Sequence, residues 1–331
     1  MPDRVATSRH TLSSSPRGPR LLAKDGWCVL LYLTVTIATG FADLRMRPHT
    51  LNVVNSYIPG VVANTEFAPG KYRVLTPYIV DRLARLFDAS LLNVWYGTRL
   101  LWIFCAYCLL HWYLRTWFPP EGALAGVALT AATLPLTFTN SWPHPDSMAE
   151  LALFSLAAMA VARRVDALFA AALAAAAFNR ETSVFLVLLY LVAEPLTRRR
   201  ALKAALFSVE WISIYAGLRA VRGLEHYDYW QPARNLSDLG LLPPNYDPYY
   251  RAYAYFGLVL FGPLLVLALK ARWAPAYVRR ALIVVPCFIV VAFLFSNIIE
   301  SRIFTPLYPL VLPAVLFSMF TTDATHLDRR T

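Results

Sequence analysis

Between Trp27 and Phe320 the chain repeats one pattern: an apolar run rich in Ala, Leu, Val and Phe, then a short polar loop. That repetition leaves few folds open. In a bilayer every backbone N–H and C=O must be paired within the protein, so spanning segments are helices or closed barrels. The runs lack the two-residue alternation of barrel strands. They read as transmembrane helices at 26–42, 90–114, 122–140, 148–163, 165–179, 182–197, 204–221, 253–270, 281–297 and 303–320. That makes about ten spans by length and hydropathy. The expected fold is an all-α polytopic transmembrane bundle, and the 58% hydrophobic content exceeds the roughly 45–50% of soluble domains.

The net charge of +11 does not point to nucleic acid, because the cations sit in short loops between apolar runs. One set of loops holds Arg115, Arg163 and Arg164, Arg198 to Arg200 with Lys203, and Lys270, Arg272, Arg279 and Arg280. The first 24 positions add Arg4, Arg9, Arg17, Arg20 and Lys24, and the other end of the chain adds Arg329 and Arg330. This is the positive-inside asymmetry, and it puts both termini in the cytoplasm. The expected organisation is a disordered basic tail over 1–24, one transmembrane domain over 25–321 and a cytoplasmic tail over 322–331. Outward loops are expected at 43–89 and 222–252. The run Trp27–Ala42 has a basic flank but no convincing cleavage site, so it is read as a retained helix. The four cysteines lie inside apolar runs, where packing explains them and no disulfide framework is implied.

The other set of loops carries the residue types that do chemistry. AAAAFNRETSVFLVLLYL, residues 174–191, breaks an apolar stretch with Asn179, Arg180, Glu181, Thr182 and Ser183. The run before it, Ala167–Phe178, covers only about 18 Å of a ~30 Å hydrocarbon core. The turn is therefore expected to be recessed, in a wet cleft open to the outside that spares the arginine its insertion cost; the alternative is that residues 165–197 break differently, for instance as a re-entrant hairpin. Arg73-Val-Leu-Thr-Pro77 and Arg302-Ile-Phe-Thr-Pro306 echo each other. Thr before Pro is a helix-start signal, and Thr182 is expected to open a helix in the same way. Helix N-termini bind anions, and arginine forks match phosphate oxygens. Arg73, Arg180 and Arg302 are thus the candidate phosphate ligands, with Glu181 and Glu300 beside them in support.

Ser-Trp-Pro-His144-Pro-Asp146-Ser-Met-Ala-Glu150 precedes another span. Ser147 and Glu150 have capping-box spacing, while His144 and Asp146 sit in a proline-stiffened turn. A metal wants more ligands than this stretch supplies, so no cofactor is expected, the alternative being a divalent metal that Asp43 joins in holding. Asp43, directly after the first run, and Glu66 in the same loop are candidate bases for an acceptor hydroxyl. Glu210, mid-span, is expected to face the bundle interior, with Arg99 or Arg219 as partner. The loop 222–252 is aromatic, as membrane-interface belts are.

Together, the acid after the first helix, Asp146, the Arg-x-x-Thr-Pro segment, Asn-Arg-Glu and Glu-Ser-Arg-x-x-x-Pro give a layout that resembles the GT-C superfamily of polytopic glycosyltransferases. The resemblance implies a polyprenyl-phosphate-linked sugar as donor and a glycan or lipid acceptor. It implies a catalytic acid at Asp43, a second functional acid at Asp146 and phosphate-binding residues at Arg73, Arg180 and Arg302. It departs from the family in having Leu44 after Asp43, so the paired-acid form is absent. The implied reaction is inverting transfer on the non-cytoplasmic face. The Ala- and Arg-rich composition points to a bacterial inner membrane. The other readings are a transporter or flippase of an anionic lipid or sugar, an O-antigen polymerase or ligase-like protein, and a non-catalytic assembly partner.

Overall fold

The computed structural model describes residues 26–46, 50–138, 146–226, 230–242 and 248–320. Both tails and His144 lie outside the described residues. Among these residues the chain is all helical, with no strand. The helices run in chain order as α1 (Gly26–Met46), α2 (Thr50–Val62), α3 (Leu75–Leu86), α4 (Leu91–Leu114), α5 (Pro120–Thr133), α6 (Asp146–Ala162) and α7 (Asp166–Asn179). There follow α8 (Val184–Val192), α9 (Arg198–Arg222), α10 (Pro232–Asp238), α11 (Pro248–Leu269), α12 (Ala276–Ala281), α13 (Val284–Phe295) and α14 (Tyr308–Phe320). Short 3-10 turns occupy Gly70–Tyr72, Leu134–Phe138, Glu181–Ser183 and Ser301–Leu307. Among the described residues five segments are long and apolar enough to cross a membrane: Gly26–Arg45, Pro120–Phe138, Arg198–Arg222, Ala276–Phe295 and Ser301–Phe320.

Several expected boundaries move. α1 continues through Asp43, which therefore lies in the last turn of a helix rather than in a loop after it. The segment expected as a loop over 43–89 contains α2, a helix with Pro59 inside it. The segment expected to be a helix from 182 to 197 is a 3-10 turn followed by only nine α-helical residues.

The centre of the bundle is α6. Its Met148, Ala149, Leu151, Ala152, Phe154, Ala157 and Ala158 are all essentially buried. A helix apolar on every side has to be enclosed, and α4 and α7 enclose this one most closely. The alanines of α6 and α7 let the backbones approach closely, as small residues do between membrane helices. α1 lies against α4 through a polar seam. Tyr32 Oη and His111 Nδ1 are 2.6 Å apart, Thr39 Oγ1 and Tyr107 Oη 2.9 Å, and Arg99 Nε donates to Asp43 Oδ2 at 2.5 Å.

The two ends of the bundle differ. At one end Arg164 and Arg200 both reach Glu194 at 2.7 Å, and Lys203 pairs with Asp166. Arg163 donates to Trp112 O, and Trp117 stacks on Tyr277. Loops from the basic set therefore gather there. α6 carries the chain to that end and α7 returns it to the other, where Asp146 and Asn179 lie.

Candidate functional site

At this second end the site begins with backbone. α7 stops at Asn179 because Arg180 is extended, with φ −158° and ψ 149°. The Val74 N–H donates to Phe178 O at 3.0 Å, which fastens the segment before α3 to the end of α7. Asn179, 1% exposed, clamps two further elements. Its Nδ2 donates to Asp146 O at 2.9 Å, and its Oδ1 accepts from Thr76 Oγ1 at 3.4 Å. Asn179→Ala removes both bonds in a buried place and should cost about 1–3 kcal/mol. Denaturant titration in detergent measures this directly.

On that frame the charges converge. Arg73 Nη1 lies 3.3 Å from Asp146 Oδ2, and its Nη2 lies 3.4 Å from Glu181 Oε1. Arg180 Nε faces the same Asp146 oxygen at 3.3 Å, and its Nη1 donates to Glu150 Oε2 at 2.7 Å. Arg302 donates to Ser147 Oγ at 3.1 Å and forks onto Glu300 Oε2 at 3.0 and 2.6 Å. Three arginines from separate parts of the sequence thus converge: Arg73 and Arg180 share Asp146, and Arg302 reaches its neighbour Ser147. Four carboxylates oppose them, so the network is compensated rather than cationic.

A pocket of about 400 Å³ opens beside the network. Arg73, Arg180, Glu181, Thr182, Glu300 and Arg302 make its charged and polar wall, and Val184, Phe185, Val291, Phe295 and Ile303 are its apolar lining. The Arg180 Nη2 makes no hydrogen bond to any described residue and is available to a guest. Asp146 is not part of the lining. It is 1% exposed and holds Arg73 and Arg180 in position.

Two other sequence candidates lie apart from the pocket lining. Asp43 is held by a bidentate ion pair with Arg99, both side chains 1% exposed. The Arg99 guanidinium also stacks over Trp95 and Phe138. Glu66 packs against Gly60 and Gly70, where an added Cβ would approach its side chain to 3.0 and 3.2 Å. Burial raises the Glu66 carboxyl above its ordinary range, with nearby Glu225 adding to the rise and a backbone bond at Phe67 opposing it. Among the described residues no group of three or more His, Cys, Asp or Glu is placed to hold a metal ion.

The expected helix caps do not form. Val74, not a threonine, precedes α3, with no side-chain cap, and Thr76 is spent on Asn179. Thr182 donates to Glu150, and Thr305 to Arg302 O at 2.9 Å. Nor does the capping box, because α6 already begins at Asp146, leaving Ser147 within its first turn. Glu150 turns instead to Arg180 and Thr182. Glu210 pairs with neither suggested arginine. Arg99 is committed to Asp43, and Arg219 stacks 4.3 Å from the Tyr72 ring centre and 3.4 Å from that of Tyr215.

Tyr57 on α2 was not legible as a site residue. It is 5% exposed, and burial pushes its phenol well above the usual value, helped by the negative charge of Asp146 and opposed by Arg73. Compared with known proteins, the chain matches no family model, no curated protein and no solved structure.

Proposed function

We propose that the chain is an integral membrane glycosyltransferase of the kind it resembles, the GT-C superfamily. It moves a sugar from a polyprenyl-phosphate donor to an acceptor hydroxyl on the non-cytoplasmic face of a bacterial inner membrane. About ten spans and cytoplasmic termini complete this reading. The observation that carries it is the pocket itself: Arg73, Arg180 and Arg302 beside two carboxylates, with apolar residues in the same lining. That combination suits a phosphate on a greasy chain. Arginine forks take the phosphate oxygens, and the apolar lining takes the first isoprene units.

The compensated charge has a chemical use. A phosphate entering the network competes with Glu181 and Glu300 for their arginines. A carboxylate that loses its cation beside new negative charge becomes a stronger base. Both residues line the pocket, which favours them over Asp43, Glu66 and Asp146 as the group that touches the acceptor. In the proposed step one of them takes the proton of the acceptor hydroxyl. The oxygen's electron pair bonds to the anomeric carbon from the face opposite the phosphate. The carbon–oxygen bond to phosphate breaks, and its pair leaves with the polyprenyl phosphate, whose growing charge the arginines stabilise.

The test is transfer in proteoliposomes supplied with a panel of labelled polyprenyl-phosphate sugars. Wild type should transfer one of them, and Glu181→Gln or Glu300→Gln should lower the rate about 10²–10⁴-fold. Undiminished transfer in both variants removes these two carboxylates from the mechanism. Failure of wild type to bind or turn over any polyprenyl-phosphate donor removes the enzyme reading.

A further inference from the structure

A second recess, of about 620 Å³, lies between α3 and the end of α9, beside the Val74–Phe178 hydrogen bond. Its wall is apolar, formed by Val74, Ile79, Leu83, Phe178, Leu218 and Val221, and it is open rather than enclosed. Two arginines complete the lining, Arg82 and Arg222. Arg82 is exposed and bonds to no described residue, while its neighbours Asp81 and Arg85 pair with each other at 3.1 Å. Arg222 is 8% exposed. It donates from Nη1 to Tyr78 Oη at 3.1 Å and from Nη2 to Val61 O, and its Nε has no partner. Neither arginine has a carboxylate in ion-pair reach among the described residues. The final carbonyls of α9 offset only about half a unit charge.

This groove is the electrostatic opposite of the arginine network. There every guanidinium meets a carboxylate; here two meet none, beside an almost wholly apolar wall. Inorganic phosphate would answer the charge and leave the wall bare. A neutral helix would cover the wall and leave the arginines unanswered. We propose that an anionic glycerophospholipid of the surrounding leaflet occupies the groove, its phosphate on Arg82 and Arg222 and its acyl chains along the apolar wall. The polyprenyl donor is a poorer fit, because its phosphate has to reach Glu181 and Glu300, which line the other recess. The lipid joins α3 to α9 at the place where Arg222 already ties them to Val61. It thereby steadies the Val74–Phe178 contact next to Arg73. The proposal does not depend on the glycosyltransferase reading.

The test is lipid retention. Purified wild type is exchanged into nanodiscs of phosphatidylcholine mixed with phosphatidylglycerol, released, and examined by native mass spectrometry. Phosphatidylglycerol should stay bound in preference to phosphatidylcholine. Arg82→Gln touches no protein contact and should fold normally, yet hold phosphatidylglycerol about fivefold more weakly. Val221→Trp fills the groove from an exposed position and should exclude the lipid. Equal retention by wild type and both variants overturns the proposal, as does retention of phosphatidylcholine as strong as that of phosphatidylglycerol. In a second set of nanodiscs that also contains polyprenyl phosphate, retention of polyprenyl phosphate in place of phosphatidylglycerol overturns it too and assigns the groove to the donor. Because the readout is lipid mass, loss of transferase activity leaves this result unaffected.

Discussion

Arg180→Ala is expected to destabilise the protein by about 3–5 kcal/mol, the cost of leaving buried charge without its partner. Arg180 stands between Asp146 and Glu150, which are 1% and 2% exposed. Removing the guanidinium leaves Glu150 with only the Thr182 hydroxyl and leaves Asp146 to Arg73, in a place with little water to receive either carboxylate. A loss of that size is a large part of the stability of an ordinary domain. Adding Glu150→Gln should recover part of it, because the charge left without a cation is then gone. Arg302→Gln makes the contrast. Its carboxylate partner, Glu300, keeps 21% of its side chain exposed and can be solvated in place, so about 1 kcal/mol is expected. Denaturant titration of the three variants and wild type in one detergent gives the comparison. Equal stability of Arg180→Ala and wild type would show that the network is not the anchor described.

The second large effect is expected at the other buried pair. Asp43→Leu alone should cost about 3–5 kcal/mol, since it strands Arg99 between α1 and α4. Asp43→Leu combined with Arg99→Met should recover most of this, because replacing both partners of a buried pair with apolar side chains is often neutral. A general base would behave differently: Asp43→Asn would abolish transfer and leave folding intact. The bidentate contact with Arg99 predicts loss of stability first, with any loss of transfer following from it. Measuring unfolding and transfer on the same preparation separates the two.

The sequence reveals some of this architecture and hides the rest for identifiable reasons. Apolar runs broken by basic loops place most of the helices, because burial in lipid demands them. α2 escapes notice because Asn52, Asn55, Ser56, Pro59 and Gly60 dilute its hydropathy and interrupt its pattern. The break at Asn179–Glu181 is visible, since a charged turn between short apolar runs has to be accounted for. The clamp made by Asn179 is not, because its partners Thr76 and Asp146 lie far away in sequence. Glu150 shows the same blindness. Its spacing from Ser147 matches a local cap, and only the fold brings Arg180 to it. Threonine followed by proline looks like a helix start at both echoed segments, yet distant Asn179 takes the Thr76 hydroxyl and the Arg302 carbonyl, three residues back, takes that of Thr305. Local signals are overruled wherever a distant partner offers a buried polar group a better bond. Arginines are easier to anticipate, because in an apolar chain each has to find an anion or water.

Polyprenyl phosphate binding to the purified protein tests the central claim most directly. Titrations should compare wild type with Arg180→Lys, which keeps the charge but loses the fork, and with Arg302→Gln. If the three arginines form one phosphate site, each substitution weakens binding at least about tenfold, the worth of one charge-assisted hydrogen bond. Equal affinity in all three proteins, or no binding by wild type, would contradict it.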